Sequence, residues 1–201
     1  MHSPCLPSLL VLLFSCLPCL AKPQSTPPEI WAEYDPDAGE WKEEIVHESV
    51  KDGILNRETY VSAWVRGEEI RVYCKYSVKD GLRKAPGLLN VHGWMGAPGI
   101  DKSYVDEGWA VIAFDYCGET GKRVHFTKYP KVLDHGNMDK KFGGSVRSKT
   151  RDGQSITDPK QTSDYLWYAV QRRVLSYLLK QKEVDGSRIG AKGYSYGGTI
   201  M

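Results

Sequence analysis

Two patterns of hydrophobic and polar residues follow one another along this chain. Residues 58–65 and 69–78 alternate, with Val61, Ala63 and Val65 on one face and Ile70, Val72, Cys74 and Tyr76 on one face of the partner. Period-two alternation predicts strands with one side buried, and the turn Arg66-Gly67-Glu68 makes them an antiparallel hairpin. Glu44 to Ser49 is a candidate strand ahead of it. After turns at Lys79-Asp80-Gly81 and Lys84-Ala85-Pro86 the apolar positions run together, in Gly87-Leu88-Leu89-Asn90-Val91 and again from Trp109 to Phe114. Continuous runs of this length fit strands covered on both faces of a parallel sheet. Between them, Asp101 to Glu107 predicts a short helix stopped by Gly108. Asp158-Pro159-Lys160-Gln161 predicts a longer one, with an acidic cap, proline in the first turn and a glutamine able to reach back. Trp167, Val170, Val174 and Leu178 then recur at helical spacing to about Lys182, a stripe facing the core. Asp185-Gly186 turns the chain into a last buried strand, closed by Arg188-Ile189-Gly190-Ala191-Lys192. Hairpin, then strand–helix–strand–helix–strand, predicts an α/β fold: an antiparallel lead-in, then parallel strands joined by crossover helices.

Composition changes this picture only at the amino terminus. A chain of 201 residues with 41% hydrophobic and 26% charged residues is most simply one globular domain. A net charge of +2, with no basic run interleaved with aromatics, argues against a nucleic-acid partner. Leu6 to Leu20, however, is apolar, free of charge and broken by Pro7 and Pro18, and Cys19-Leu20-Ala21 resembles a cleavage site. Residues 1–21 are therefore expected to be a secretory signal peptide, although its start carries only His2 and no Lys or Arg. The stretch is too short and too proline-broken for a stable membrane span. Leu13-Phe14-Ser15-Cys16 faintly resembles a lipoprotein box, which leaves lipid anchoring at Cys16 as the second option to a secreted or periplasmic location. Residues 22–57 read as a linker and amino-terminal arm, and 58–201 as the domain. Cys74 and Cys117, outside the leader, either pair or stay as two buried thiols. No Cys/His spacing suggests a metal, and no cofactor is expected. Gly121-Lys122 lacks the first glycine of a phosphate loop and is followed by Arg123.

The candidate chemistry gathers where the predicted strands end, which is where ligands of α/β sheets bind. Gly193-Tyr194-Ser195-Tyr196-Gly197-Gly198 follows the last strand and precedes small residues able to open a helix. This is the spacing of a nucleophile elbow, a sharp strand-to-helix turn that lifts a serine Oγ out of the sheet. The positions two before and two after Ser195 must then be small, which Gly193 and Gly197 satisfy, and Gly198 is expected to let the helix approach the sheet. The Tyr196 N–H would face a developing oxyanion. His92-Gly93-Trp94-Met95-Gly96 follows the strand ending at Val91. The segment resembles the His-Gly turn of α/β-hydrolases, which implies a backbone N–H facing the nucleophile, with Trp94 as the expected donor and Met95 as its substitute. His92 itself is expected to brace the turn. Asp115 is expected to cap or brace the loop after the next strand, and Glu119 to line the pocket. Residues 126–156 read as a pocket rim. For His125 and His135 a surface role and a substrate contact both stand.

These motifs together resemble the α/β-hydrolase superfamily. Tyr165-Leu166-Trp167-Tyr168, Glu183-Val184-Asp185, Arg188-Ile189-Gly190 and the elbow are most similar to its acetyl xylan esterase / cephalosporin C deacetylase branch, which is dienelactone hydrolase-like. Cys117-Gly118-Glu119 and Tyr196 stand where that branch carries Arg-Gly-Gln and a glutamine. The resemblance implies a serine carboxylesterase with Ser195 as nucleophile, Tyr196 and Trp94 as oxyanion donors, and an ester or acetylated carbohydrate as substrate. It further implies an acid and then a histidine base later in the chain than Ser195. The sequence thus looks like an amino-terminal portion of such an enzyme, and inactive by itself. Ser195-Tyr196-Gly197-Gly198 is also similar to the elbow of prolyl oligopeptidases. A non-catalytic remnant or binding protein is the third reading.

Overall fold

The computed structural model describes residues 26–120, 122–133 and 157–201. The leader expected at 1–21, with Cys16, lies outside the described residues, as do His135 and most of the expected rim. Six strands form one sheet: β1 (Glu44–Lys51), β2 (Ile54–Val65), β3 (Glu68–Lys79), β4 (Ala85–Val91), β5 (Ala110–Phe114) and β6 (Val184–Gly193), in the order β1-β2-β3-β5-β4-β6. The first four in that order pair antiparallel, whereas β5, β4 and β6 are parallel. The expected hairpin is β2–β3. Its two-residue turn puts Arg66 at φ 54 and Gly67 at φ 79, the handedness that matches strand twist. Val61, Ala63, Val65, Ile70, Val72, Cys74 and Tyr76 all enter the core as read from the alternation. The other face is not open, however, because Tyr60, Ser62, Tyr73 and Ser77 are buried too. His125 stacks on Tyr73 at 5.5 Å, and Lys128 pairs through its backbone with Arg71. Such a cover from a distant segment leaves no trace in strand periodicity.

β4 and β5 are interior strands of the parallel part, and every residue of β5 is fully buried. The helix between them is α2 (Lys102–Asp106), capped by the Asp101 carboxylate on the Ser103 N–H and ended by Gly108 at φ 92. The long helix is α3 (Ser163–Leu179), and it starts later than the sequence suggests. Asp158 caps only the 3₁₀ turn Pro159–Gln161, and Thr162, extended at φ −83 and ψ 158, breaks off and caps the helix proper. Gln161 does not reach back, since its side-chain oxygen accepts from Arg66. Trp167, Val170, Val174 and Leu178 do face the core.

β6 corrects a second expectation. It pairs with β4 and forms an edge of the described sheet, so Arg188, Ala191 and Lys192 are exposed rather than buried. Its register jumps from Pro86↔Asp185 to Gly87↔Ile189, which leaves residues 186–188 bulging before the strand runs true to Gly193.

The arm ahead of β1 wraps over α3. A short helix α1 (Pro27–Trp31) brings Trp31 flat against Tyr165 at 4.6 Å, and the Tyr34 hydroxyl donates to the Ala169 carbonyl at 2.7 Å. Arg173, 1% exposed, donates to the carbonyls of Pro36, Ala38, Gly39 and Glu40 in the arm and of Ser62 in β2. Its guanidinium carbon lies 3.4 Å from the centre of the Trp41 ring.

Cys74 and Cys117 are free thiols, both buried. Burial, seconded by the Asp115 charge, pushes the Cys117 thiol up to about 12 and Cys74 still further. Since the thiolate is the reactive form, neither cysteine is expected to react with iodoacetamide at pH 8 in the folded protein. Both should label once urea unfolds it, and mass spectrometry of the alkylated peptides checks this.

Candidate active site

β6 delivers the chain to a turn in which Ser195 holds φ 51 and ψ −123. An L-residue with a side chain is strained there. The turn is locked by backbone bonds from Tyr194 N–H to the Val91 carbonyl, Gly197 N–H to Tyr194 and Gly198 N–H to Ser195, at 3.1, 2.9 and 2.9 Å. The short helix α4 (Tyr196–Thr199) follows at once. Two of the three glycines are there for space. A β-carbon on Gly193 would sit 2.4 Å from the Gly197 carbonyl oxygen, and one on Gly197 would sit 2.3 Å from the carbonyl oxygen of His92. Gly198 is different: its β-carbon would meet nothing nearer than 3.5 Å. Close approach of helix and sheet is therefore made at Gly197, where backbone meets backbone, and not at Gly198. Gly197→Ala is expected to cost about 1–3 kcal/mol by overpacking a site that cannot yield. Gly198→Ala should change stability by less than about 1 kcal/mol, and paired urea melts check the contrast.

The second turn lies against the first. A β-carbon on Gly93 would touch the Tyr194 ring at 3.1 Å and the Ser195 β-carbon at 3.5 Å, so the His92-Gly93-Trp94 segment and Ser195 are neighbours. Trp94 packs edge-on against both Tyr196 and Trp167, with centroids 5.2 and 5.5 Å apart. The Tyr196 hydroxyl donates to the Asp164 carboxylate at 2.5 Å, and the Tyr168 hydroxyl to the Thr199 carbonyl at 2.9 Å. The aromatic first turns of α3 are thus the bed on which the elbow rests. Sequence reading had Trp167 as core and missed this second duty, although the cluster Tyr165-Leu166-Trp167-Tyr168 was its signal.

His92 braces the turn as expected. Its ring stacks on Tyr116 at 4.5 Å, Nδ1 lies 2.7 Å from the Gly93 carbonyl oxygen, and Nε2 lies 3.5 Å from Asp115 Oδ1. That last contact is an ion-pair distance outside hydrogen-bond geometry. Both ring nitrogens thus face the turn and its support, Nδ1 the Gly93 carbonyl and Nε2 the Asp115 carboxylate. Asp115 is fully buried and accepts from the N–H groups of Cys117, Gly118 and Thr127 and from Arg123. It braces the loop after β5, as expected. Tyr116 is held neutral by burial, well above its usual range. Glu119 is exposed on this loop and is not brought into the cluster. His125 belongs to the Tyr60–Tyr73 face of the hairpin instead.

No protein-family model and no curated protein sequence matches this chain. Solved structures do match. Acetyl xylan esterase 1 from Thermoanaerobacterium sp. JW/SL YS485 superposes with TM-score 0.55 at 21% identity, covering 85% of this chain and 50% of that one. The acetyl xylan esterase from Paenibacillus sp. R4 gives 0.52 at 18%, covering 82% and 49%, and the methylesterase BT1017 gives 0.54 at 16%, covering 85% and 33%. The chain therefore spans half or less of the length of these proteins. At such identities the likeness is one of fold, and the fold is that of the amino-terminal portion of an α/β-hydrolase, with an antiparallel lead-in followed by parallel strands and crossover helices.

Proposed function

We propose that the protein is an exported serine carboxylesterase that works through an acyl-enzyme on Ser195. The observation that carries this is the strained backbone of Ser195, kept at φ 51 by glycines that admit no β-carbon, beside the turn at Gly93. Strain of this kind persists only where surroundings enforce it, and it gathers at functional sites. In the proposed cycle Ser195 Oγ bonds to the ester carbonyl carbon while its proton passes to a histidine. The carbonyl π electrons become an oxyanion held by the N–H groups of Tyr196 and Trp94. The alcohol then leaves with that proton, and water releases the acid by the same route in reverse. The match covers half or less of the solved relatives, and in this reading the rest of such a fold supplies the histidine and its carboxylate. Acetylated carbohydrate is the substrate class, on the strength of the acetyl xylan esterases that share the fold and of the leader at residues 1–21.

The elbow sequence Ser195-Tyr196-Gly197-Gly198 favours a prolyl peptidase as the second reading. Assay of the full-length protein on 4-nitrophenyl acetate and on a prolyl 4-nitroanilide separates the two. The ester is expected to be cleaved at least about 100-fold faster, given the oxyanion and nucleophile machinery alone. Amide cleavage without ester cleavage would overturn the esterase.

A further inference from the structure

His92 touches the site in a way that bracing alone does not use. Its Nδ1 lies 2.7 Å from the Gly93 carbonyl oxygen. A carbonyl only accepts, so Nδ1 carries the hydrogen of that bond. The same oxygen accepts a second bond, from the Gly96 N–H at 2.9 Å. Gly93 C=O and Trp94 N–H are the two ends of one peptide unit. None of the described peptide bonds is cis, and in a planar trans unit the C=O and N–H point in opposite directions. Whatever fixes the Gly93 oxygen therefore fixes the direction of the Trp94 N–H. Two donors on the oxygen also polarise the unit and strengthen its N–H as a donor.

We infer that His92 is a positioning residue that aims the Trp94 N–H at the oxyanion by gripping the far end of the same peptide. The inference rests on the esterase reading for its consequence in catalysis, but not for its geometry. The grip has a backing. The imidazole is pinned face-on by Tyr116 at 4.5 Å and edge-on by Asp115 at 3.5 Å, and Asp115 is itself anchored by three backbone N–H groups. The turn needs this help, since it runs through Met95 at φ 54, a costly conformation for a side-chain-bearing residue, and Met95 is exposed.

Asparagine and glutamine dissect the ring. An asparagine amide nitrogen falls near the place of Nδ1 and a glutamine amide nitrogen near that of Nε2. His92→Asn thus keeps the bond to Gly93 and gives up Asp115, and His92→Gln does the reverse. In the full-length protein on 4-nitrophenyl acetate, H92Q is expected to lose about 10- to 100-fold in kcat with KM within about twofold. H92N should recover at least about fivefold of that loss. Independently of turnover, the ¹H–¹⁵N resonance of the Trp94 amide should move in H92Q and stay near its original place in H92N. A merely structural brace produces no such order between the two variants. Equal kcat values, or equal displacement of the Trp94 resonance, overturn the inference and leave the esterase intact. Absence of ester turnover in the unmutated protein, with the Trp94 resonance still following the Asn/Gln order, removes the esterase and leaves the aimed peptide standing.

Discussion

Replacing Ser195 with alanine in the full-length protein is expected to lower ester turnover by about 10⁴-fold or more, in line with the loss of a serine nucleophile elsewhere. The residual rate would come from the oxyanion donors and from binding. Folding should be untouched, because Ser195 is exposed and its side chain makes no capping bond to α4. Alanine inherits the same strain at φ 51, so the melting temperature should hold. Ser195→Gly makes a sharper companion. It removes both the Oγ and the strain, and is expected to raise stability by about 1 kcal/mol while being equally inactive. Steady-state kinetics and thermal melts of the two variants read this directly. Turnover within tenfold of the original in either variant would assign the nucleophile elsewhere.

Arg173→Ala is expected to destabilise the protein by about 3–5 kcal/mol, the range for breaking a buried charged network. Burial works against the guanidinium charge, and the hydrogen bonds to five carbonyls offset that cost. Truncation would strand those five acceptors and open one face of Trp41. Lysine is no substitute, with three donors from a point charge where five acceptors surround a planar fork. Arg173→Lys should therefore recover less than half of the loss. The damage ought to fall first on the arm, so limited proteolysis of either variant should cut within residues 35–43 before the sheet gives way. A urea midpoint for Arg173→Ala equal to that of the original protein would show that the arm contributes nothing to the fold.

These two sites were unequally legible in the sequence. Ser195 announces itself because the elbow is local: strand, glycine, serine and glycine must be contiguous for the turn to form. β2, β3, β4 and β5 were legible for the same kind of reason, since each strand's pattern reflects the burial of its own faces. Arg173 gives no such sign. It sits in Gln171-Arg172-Arg173, which reads as the solvent side of a helix until the arm is laid over it. Trp31, Tyr34 and Trp41 likewise follow no period, because they anchor an irregular segment rather than a face. β6 misled in the opposite sense. Ile189-Gly190-Ala191 is too short a run to tell an interior strand from an edge, and its neighbours on the sheet are set by topology. The close approach of helix and sheet was expected at Gly198 and is made at Gly197, because spacing cannot say which β-carbon would strike backbone.

Arg173 also imposes a schedule. Its partners in the arm lie 133–137 positions earlier in the chain. During synthesis the arm emerges first, β2 and β3 then meet its residues 40–42, and its bonds to Arg173 wait until the middle of α3 follows. At ordinary translation speeds that interval is on the order of ten seconds. Throughout it, Trp31 and Tyr34 lack the α3 surface on which they pack. The Arg173 contact joins one of the first-made parts of the described chain to a helix made well after it.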